Sequence, residues 1–407
     1  MKFSIASPAF FLFSLIIAAN AVSVPVLPRE GKSKGRGKGG HRYGGEYGSD
    51  GVGGARPAPD SEDWTNATAA LIELHKNLCE IPSIAPNELA VGDWLATYLR
   101  SKSFTVEKQE VARNRNNIFA YLGNKNRTKT LVTSHIDVVP PYINYTYHPN
   151  GTITGRGTND AKGCVAAQIK AVEGLLTKGL IGEGDVAMLF VVAEETDGAG
   201  MIKANDLGLT WDSVIFGEPT ELRLSLGHKG VLRFSIEAFG KAAHSGYPQF
   251  GINANEDLVE ALHILSKMKL PGSDLLGNST LNYGIMGGGT APNIISPYAN
   301  ASVAIRLAAD PLLVRALVNE TVKDLPVTLT WFERFYGPQY LDYDVEGFET
   351  RAQAYGTDIP NLKGSHKRYL YGPGSILTAH GNAEFVTVTD LVKSVEGYKA
   401  LIMHTLP

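Results

Sequence analysis

Cysteine is nearly absent: Cys79 and Cys164 are the only two in 407 residues. That excludes a disulfide scaffold; the pair either forms one bridge in an oxidising compartment or stays as two buried thiols, and the sequence leaves both open. Beyond the N-terminal segment no run approaches twenty apolar residues, which excludes a helical membrane span there. An excess of basic charge is also missing from most of the chain. Residues 1–60 hold eight Lys/Arg and four Asp/Glu, leaving 30 against 37 in the rest, a net of about minus seven. The remainder is therefore acidic, and no nucleic-acid partner is expected for it.

What is present begins with Lys2, an apolar core from Phe10 to Ala19, and Ala19-Asn20-Ala21, the small-x-small pattern of a secretory cleavage site. Residues 1–21 read as a signal peptide, so the expected location is extracellular, with no membrane partner. Residues 22–60, typified by Gly31-Lys32-Ser33-Lys34-Gly35-Arg36, have little to bury and read as a disordered glycine-rich basic tail. Seven Asn-x-Ser/Thr sequons follow, at Asn66, Asn126, Asn144, Asn150, Asn278, Asn300 and Asn319, which on an exported chain favours a glycosylated surface.

The remaining residues alternate short buried strands with amphipathic helices, the pattern of an α/β fold with a mostly parallel sheet and helices on both faces. Helical spacing marks Leu71, Leu74 and Leu78, then Val91, Leu95 and Leu99, then Val165, Ile169 and Val172. Strand candidates are Phe104–Val111, Asn117–Leu122, Leu131–Ile136, Asp185–Ala193 and Ser213–Phe216. Between Gly230 and Phe332 the order changes to β-α-β-β-α-β, the split arrangement of a small ferredoxin-like α+β domain. The expected organisation is one α/β unit in two parts, 61–227 and 334–407, with an inserted unit over 228–333. The α/β pattern resumes at Asp358-Ile359-Pro360 and ends in a helix carrying Leu391, Val395, Tyr398 and Ile402.

Chemistry gathers at the ends of the strands. In Leu131–Pro140 an apolar run ends in His135-Ile136-Asp137, and residues two apart on a strand project to the same side. Asp160 lies in the loop Gly157–Gly163 before a helix, Glu194-Glu195 closes a strand, Glu218 follows another, and His380 lies before the last helix. Each alone reads equally well as a strand end, a helix cap or a solvated turn. Together, two histidines and several carboxylates at strand ends fit a pair of divalent ions such as zinc, each taking one histidine, with one carboxylate shared. Two such ions can activate a water and clamp an attacked carbonyl, and the doubled Glu194-Glu195 offers a ligand next to a general base.

These motifs, Ser134-His135-Ile136-Asp137, Gly157–Gly163, Glu194-Glu195, Gly217-Glu218-Pro219-Thr220 and Ala379-His380-Gly381, resemble in order and spacing those of the dizinc metallopeptidases. That family includes glutamate carboxypeptidase, acetylornithine deacetylase, succinyl-diaminopimelate desuccinylase and aminoacylase. The resemblance spans roughly 65–405. It implies two Zn(2+) per subunit, with His135 and Glu218 on one ion, Glu195 and His380 on the other, and Asp160 bridging. It further implies that Glu194 is the general base, that Asp137 orients His135, and that the Asp160-Ala161 peptide is cis. In the inserted unit it points to His244 as an oxyanion-stabilising group and to Asn293 and Arg306 as a grip on the substrate carboxylate; Gly374 joins these substrate-binding positions. Ala161, and Thr196-Asp197 after the double Glu, depart from common family residues without touching a ligand position.

The reading that follows is a secreted zinc carboxypeptidase acting on a peptide. An N-acyl-amino-acid deacylase or dipeptidase performs the same amide hydrolysis, and an inactive binding or dimerisation protein is the alternative of another class. A homodimer through the inserted unit completes the expectations.

Overall fold

The computed structural model describes residues 62–407; the expected signal peptide and basic tail lie outside the described residues. Helices α1 (Glu62–Glu80) and α2 (Leu89–Ser101) lead into β1 (Thr105–Ala112), β2 (Arg115–Tyr121) and β3 (Thr130–His135). Next come α3 (Lys162–Thr177), β4 (Val186–Val191) and β5 (Ser213–Gly217). The middle of the chain forms β6 (Gly230–Phe239), α4 (Ala254–Lys267), β7 (Thr280–Gly288), β8 (Tyr298–Leu307), α5 (Pro311–Val322) and β9 (Val327–Trp331). Finally β10 (Lys367–Tyr371) and α6 (Val388–Thr405) return to the first sheet.

That sheet has the order β1-β2-β4-β3-β5-β10. Strands β4, β3, β5 and β10 run parallel, while β2 is antiparallel to both β1 and β4. Central β3 is buried along its whole length, as a parallel strand covered on both faces must be. Alternation divides its neighbours. Ile118, Ala120, Met188, Phe190 and Tyr369 pack with α1, α2, α3 and α6, whereas Phe119, Leu189, Val191, Val214 and Leu370 point the other way. The second face is closed by a short helix, Ala199–Ala204, and by Trp211, Ile359 and Leu362. Helices thus lie on both faces, unequally. Each fully buried Leu or Phe contributes about 1.5–3 kcal/mol relative to exposure.

The edge strand β10 was not anticipated. Asp358-Ile359-Pro360, where the α/β pattern was expected to resume, enters a single 3-10 turn over Ile359–Asn361. In Lys367–Tyr371 only the last three residues are buried, too short a stretch for alternation to stand out.

Residues 230–331 build their own four-stranded antiparallel sheet, order β7-β8-β6-β9, with α4 and α5 enclosing a core around Phe234, Ile236, Leu258, Val303 and Val318. Helix α5 starts where the chain dictates: Asp310 caps the Leu313 amide at 2.9 Å and Pro311 occupies the first turn. The chain enters this unit from a buried strand, Leu224–His228, paired with Gln339–Tyr340 and Thr350–Gln353. At the crossing Val231 and Tyr336 exchange backbone hydrogen bonds of 3.0 and 3.1 Å. Gly230 permits this, because a Cβ there would stand 2.2 Å from the Tyr336 carbonyl oxygen. Cys79 and Cys164 are both free, buried thiols. Among the described residues no helix is long and apolar enough to cross a membrane.

Candidate metal centre

Parallel strands deliver the site. His135 ends β3, Asp137 lies two residues on, Glu194-Glu195 follow β4, and Glu218 follows β5, all at the carboxyl edge of adjacent strands. Ser134 ties two of these strands by donating to the Gly217 carbonyl at 2.9 Å. Asp160 sits just before α3 and His380 before α6. The Asp160-Ala161 peptide is cis, as expected.

The five expected ligands converge. His135 Nε2 lies 3.1 Å from Oδ1 of Asp160 and 3.7 Å from Oε1 of Glu218. His380 Nε2 lies 3.2 Å from Oδ2 of the same aspartate and 3.0 Å from Oε2 of Glu195. Each oxygen of Asp160 therefore addresses one histidine, and each histidine has a further glutamate. Backbone at the rim is bent to achieve this: Ala193 and His380 take left-handed conformations, φ 68° and 63°, which cost roughly 1–2 kcal/mol each for a residue with a Cβ. The turn at Ala193 is held by its carbonyl, which accepts from the Asp197 and Gly198 amides.

Asp137 works differently from expectation. His135 Nδ1 bonds to the backbone carbonyl of Asp137 at 3.0 Å, while the nearer carboxylate oxygen stands at 3.7 Å. The carboxylate instead accepts from the amides of Glu194 and Glu195, at 3.2 and 3.1 Å. It fixes the Glu194-Glu195 turn after β4 at least as directly as the histidine ending β3. Its burial pushes its pKa up to about 7.

Electrostatics single the cluster out. Burial first, and Glu218 next, hold the Glu194 carboxyl well above the usual range; burial also raises Glu218. His380, bonded to Asp160 and Glu195, is raised to about 10. For His135 burial disfavours the charge, yet Asp160 and Glu218 outweigh it and the ring is held well above its ordinary value. Asp160 shows the reverse balance and lies well below the carboxylate range. Two imidazoles facing a cluster of buried like-charged carboxylates suit divalent cations, which satisfy both donor types at once. The group His135, Asp160 and Glu195 already has ligand atoms all within 4.8 Å of one another.

The substrate-binding expectations divide. Gly374 borders the site: with φ 67°, a Cβ there would meet Oδ1 of Asn159 at 1.9 Å. Arg306 stands at the end of β8 near the crossing, exposed, its Nη1 facing Gly356 beside the Tyr336 hydroxyl. His244 and Asn293 are together but elsewhere. The Ser245 amide bonds to the Asn293 carbonyl at 3.0 Å, and both residues are exposed beyond the far ends of β6 and β8. Eight residues of strand, about 26 Å, separate Tyr298 from Arg306, so one chain cannot bring Asn293 and Arg306 to one carboxylate.

Several functional neighbours escaped the sequence reading. Tyr355 donates to the Pro219 carbonyl at 2.9 Å beside Glu218, and Asp358, raised to about 6 by burial, adds negative charge that raises Glu194. Arg156 and Glu384 form a buried ion pair behind the Asp160 loop. Only its place in Gly155-Arg156-Gly157 could have flagged Arg156, and Glu384, in Gly381-Asn382-Ala383-Glu384, reads as a solvated acid.

The model of peptidase family M20/M25/M40 matches residues 131–404. A Schizosaccharomyces pombe relative, "Peptidase M20 domain-containing protein C757.05c", is 48% identical over 341 residues, covering 83% of this chain and 85% of its own. An Aspergillus clavatus relative named "Probable carboxypeptidase ACLA_013260" is 41% identical, covering 85% and 91%. Among solved structures, a tripeptidase from Staphylococcus aureus aligns with a TM-score of 0.70 at 20% identity, over 83% of this chain and 99% of that one, a likeness of fold. With the metal-competent residues all lying inside the matched segment, this chain belongs to peptidase family M20/M25/M40 and is a metallopeptidase.

Proposed function

We propose that this metallopeptidase is a two-zinc carboxypeptidase that removes a C-terminal residue from peptides outside the cell. The observation that carries the two-ion reading is the Asp160 carboxylate, shared between His135 and His380, with Glu218 beside one histidine and Glu195 beside the other. Bound at these residues, the ions would supply an acidified water and polarise the scissile carbonyl. The protein's own part is positional. Among the described residues the Glu194 carboxylate carries no hydrogen bond, only its amide does, and the residue is half-buried at the rim, so it is the group free to accept a proton and pass it to the leaving nitrogen. Asp137 keeps Glu194 and Glu195 in register through their amides. Arg306, with no acidic partner among the described residues, suits the free carboxylate of a peptide terminus.

A homodimer resolves the remote histidine. A second copy presenting His244 and Asn293 to this site would unite them with Arg306 across the interface, and closure about Leu226–Lys229 and Phe332–Gly337 would expel water. The exposed apolar side chains Phe239, Phe250, Ile252 and Ile285 on the inserted unit favour such an association. Secretion rests on the N-terminal pattern, and glycosylation on the sequons, of which all but half-buried Asn300 present an exposed asparagine. Mass-spectrometric product identification on a mixed library of peptides and N-acyl amino acids tests the substrate class. Loss of single C-terminal residues is expected; release of N-terminal residues only, or of acyl groups only, would overturn the carboxypeptidase assignment.

A further inference from the structure

The ion pair between Arg156 and Glu384 connects every loop that carries a ligand of the His380 half of the site except that of Glu195. Both side chains are 1% exposed. Glu384 directs Oε1 at three amides of one loop, those of Gly157 at 2.9 Å, Asn159 at 3.2 Å and Asp160 at 3.1 Å, and Oε2 at Arg156 Nη1 at 2.6 Å. Those amides lie in a buried turn, and without the carboxylate they would lose their acceptor. Arg156 spreads in the other direction. Its Nε donates to the Pro141 carbonyl at 3.2 Å, Nη1 to Gly381 at 3.2 Å and Nη2 to His380 at 3.4 Å.

The pair therefore spans three segments: the chain leaving β3, the Asp160 loop, and the His380 loop. A planar guanidinium can hold three carbonyls and a carboxylate in fixed mutual directions, which a lysine cannot. His380 needs such support. Its own side chain is half-exposed and its backbone is left-handed, so beyond its contacts with Asp160 and Glu195 little fixes its imidazole. His135, by contrast, is buried within β3 and held by the sheet.

We infer that Arg156 and Glu384 are positioning residues, a buried brace that sets the spacing between Asp160 and His380 and so determines the affinity of one of the two metal positions more than the other. The inference rests on the two-zinc reading above. Arg156 reaches from the Asp160 loop to the His380 and Gly381 carbonyls, so its loss acts most on that half; Glu384, four residues after His380, holds the amides of the loop of the shared aspartate, so its loss acts on both.

Zinc affinities measured by chelator competition, together with bound-metal stoichiometry, test this without recourse to turnover. In Arg156→Lys one zinc should weaken by about 10–100-fold, the range typical for residues that orient metal ligands, while the other keeps its affinity. In Glu384→Gln, which keeps the side-chain shape but places an amide against Arg156, both should weaken. If Arg156→Lys fails to fold, Glu384→Gln decides, with weakening of both ions as the expected result. A wild-type chain binding two ions and a variant binding both unchanged, even with a lowered Tm, would overturn the brace. A wild-type chain binding fewer than two would overturn the reading beneath it.

Discussion

Nε2 of His380 stands 3.2 Å from Oδ2 of Asp160, two residues 220 positions apart in sequence, and the opposite oxygen of that aspartate faces His135 at 3.1 Å. A carboxylate addressed from both sides by imidazoles, with a glutamate on each flank, explains why so many titratable groups share one buried edge of the sheet. It also ranks the residues by what their removal should do.

Glu194→Gln should keep both zinc ions and lose hydrolysis by well over 100-fold, because the amide preserves shape but cannot take a proton. Turnover and metal content measured on one preparation check this. Rates near wild type would remove Glu194 from the mechanism.

Asp137→Asn should leave one of the Glu194 and Glu195 amides without an acceptor, since the carboxamide offers one oxygen where the carboxylate offers two. We expect a stability loss of about 1–3 kcal/mol and a fall in kcat larger than any rise in KM. An unchanged kcat would show that His135, through the backbone carbonyl, needs no help from this side chain.

His228, outside the cluster of expected ligands, supplies a pH dependence of its own. It is fully buried, with Nδ1 facing the Lys229 carbonyl and Nε2 facing Thr357, and burial pushes its pKa down from 6.5 to about 4. The unfolded chain therefore takes up this proton more readily than the folded one. Stability is retained above about pH 6.5 and drains away as pH falls toward 4, by up to roughly 3 kcal/mol. His228→Gln should flatten the fall in Tm between pH 7 and pH 4.5; an identical fall in variant and wild type would remove His228 as its cause.

Mixing tests the shared site. His244→Ala and Glu194→Gln chains, each inactive alone, should regain about a quarter of wild-type activity when dissociated and reassembled together, because half the dimers then hold one intact site. No recovery, with heterodimers demonstrated, would confine His244 to its own chain or to no role.

Much of this was legible in the sequence, for physical reasons that differ by element. The six elements of the inserted unit were readable because a sheet with helices on one side imposes clean alternation on β6 and β8 and amphipathic spacing on α4. The convergence of the expected ligand positions was readable because strand ends fix where His135, Glu195 and Glu218 emerge. Strand β10 was hidden by its short buried stretch, and Tyr355 and Asp358 by loops whose approach to the site is a tertiary event. Arg156 and Glu384 were hidden because a buried ion pair, 228 residues apart, has the same local signature as two surface charges. The separation of Asn293 from Arg306 could not be read, since distance along β8 decides it.

The most direct test of the two-zinc peptidase account is titration of metal-free protein with zinc while following release of a C-terminal residue from a peptide. The account predicts that activity is absent without metal, reaches its maximum at two equivalents per chain, and is abolished in Asp160→Asn, which cannot serve both histidines as an anion. Activity that survives exhaustive chelation, or a maximum reached at one equivalent with no further binding, would contradict it.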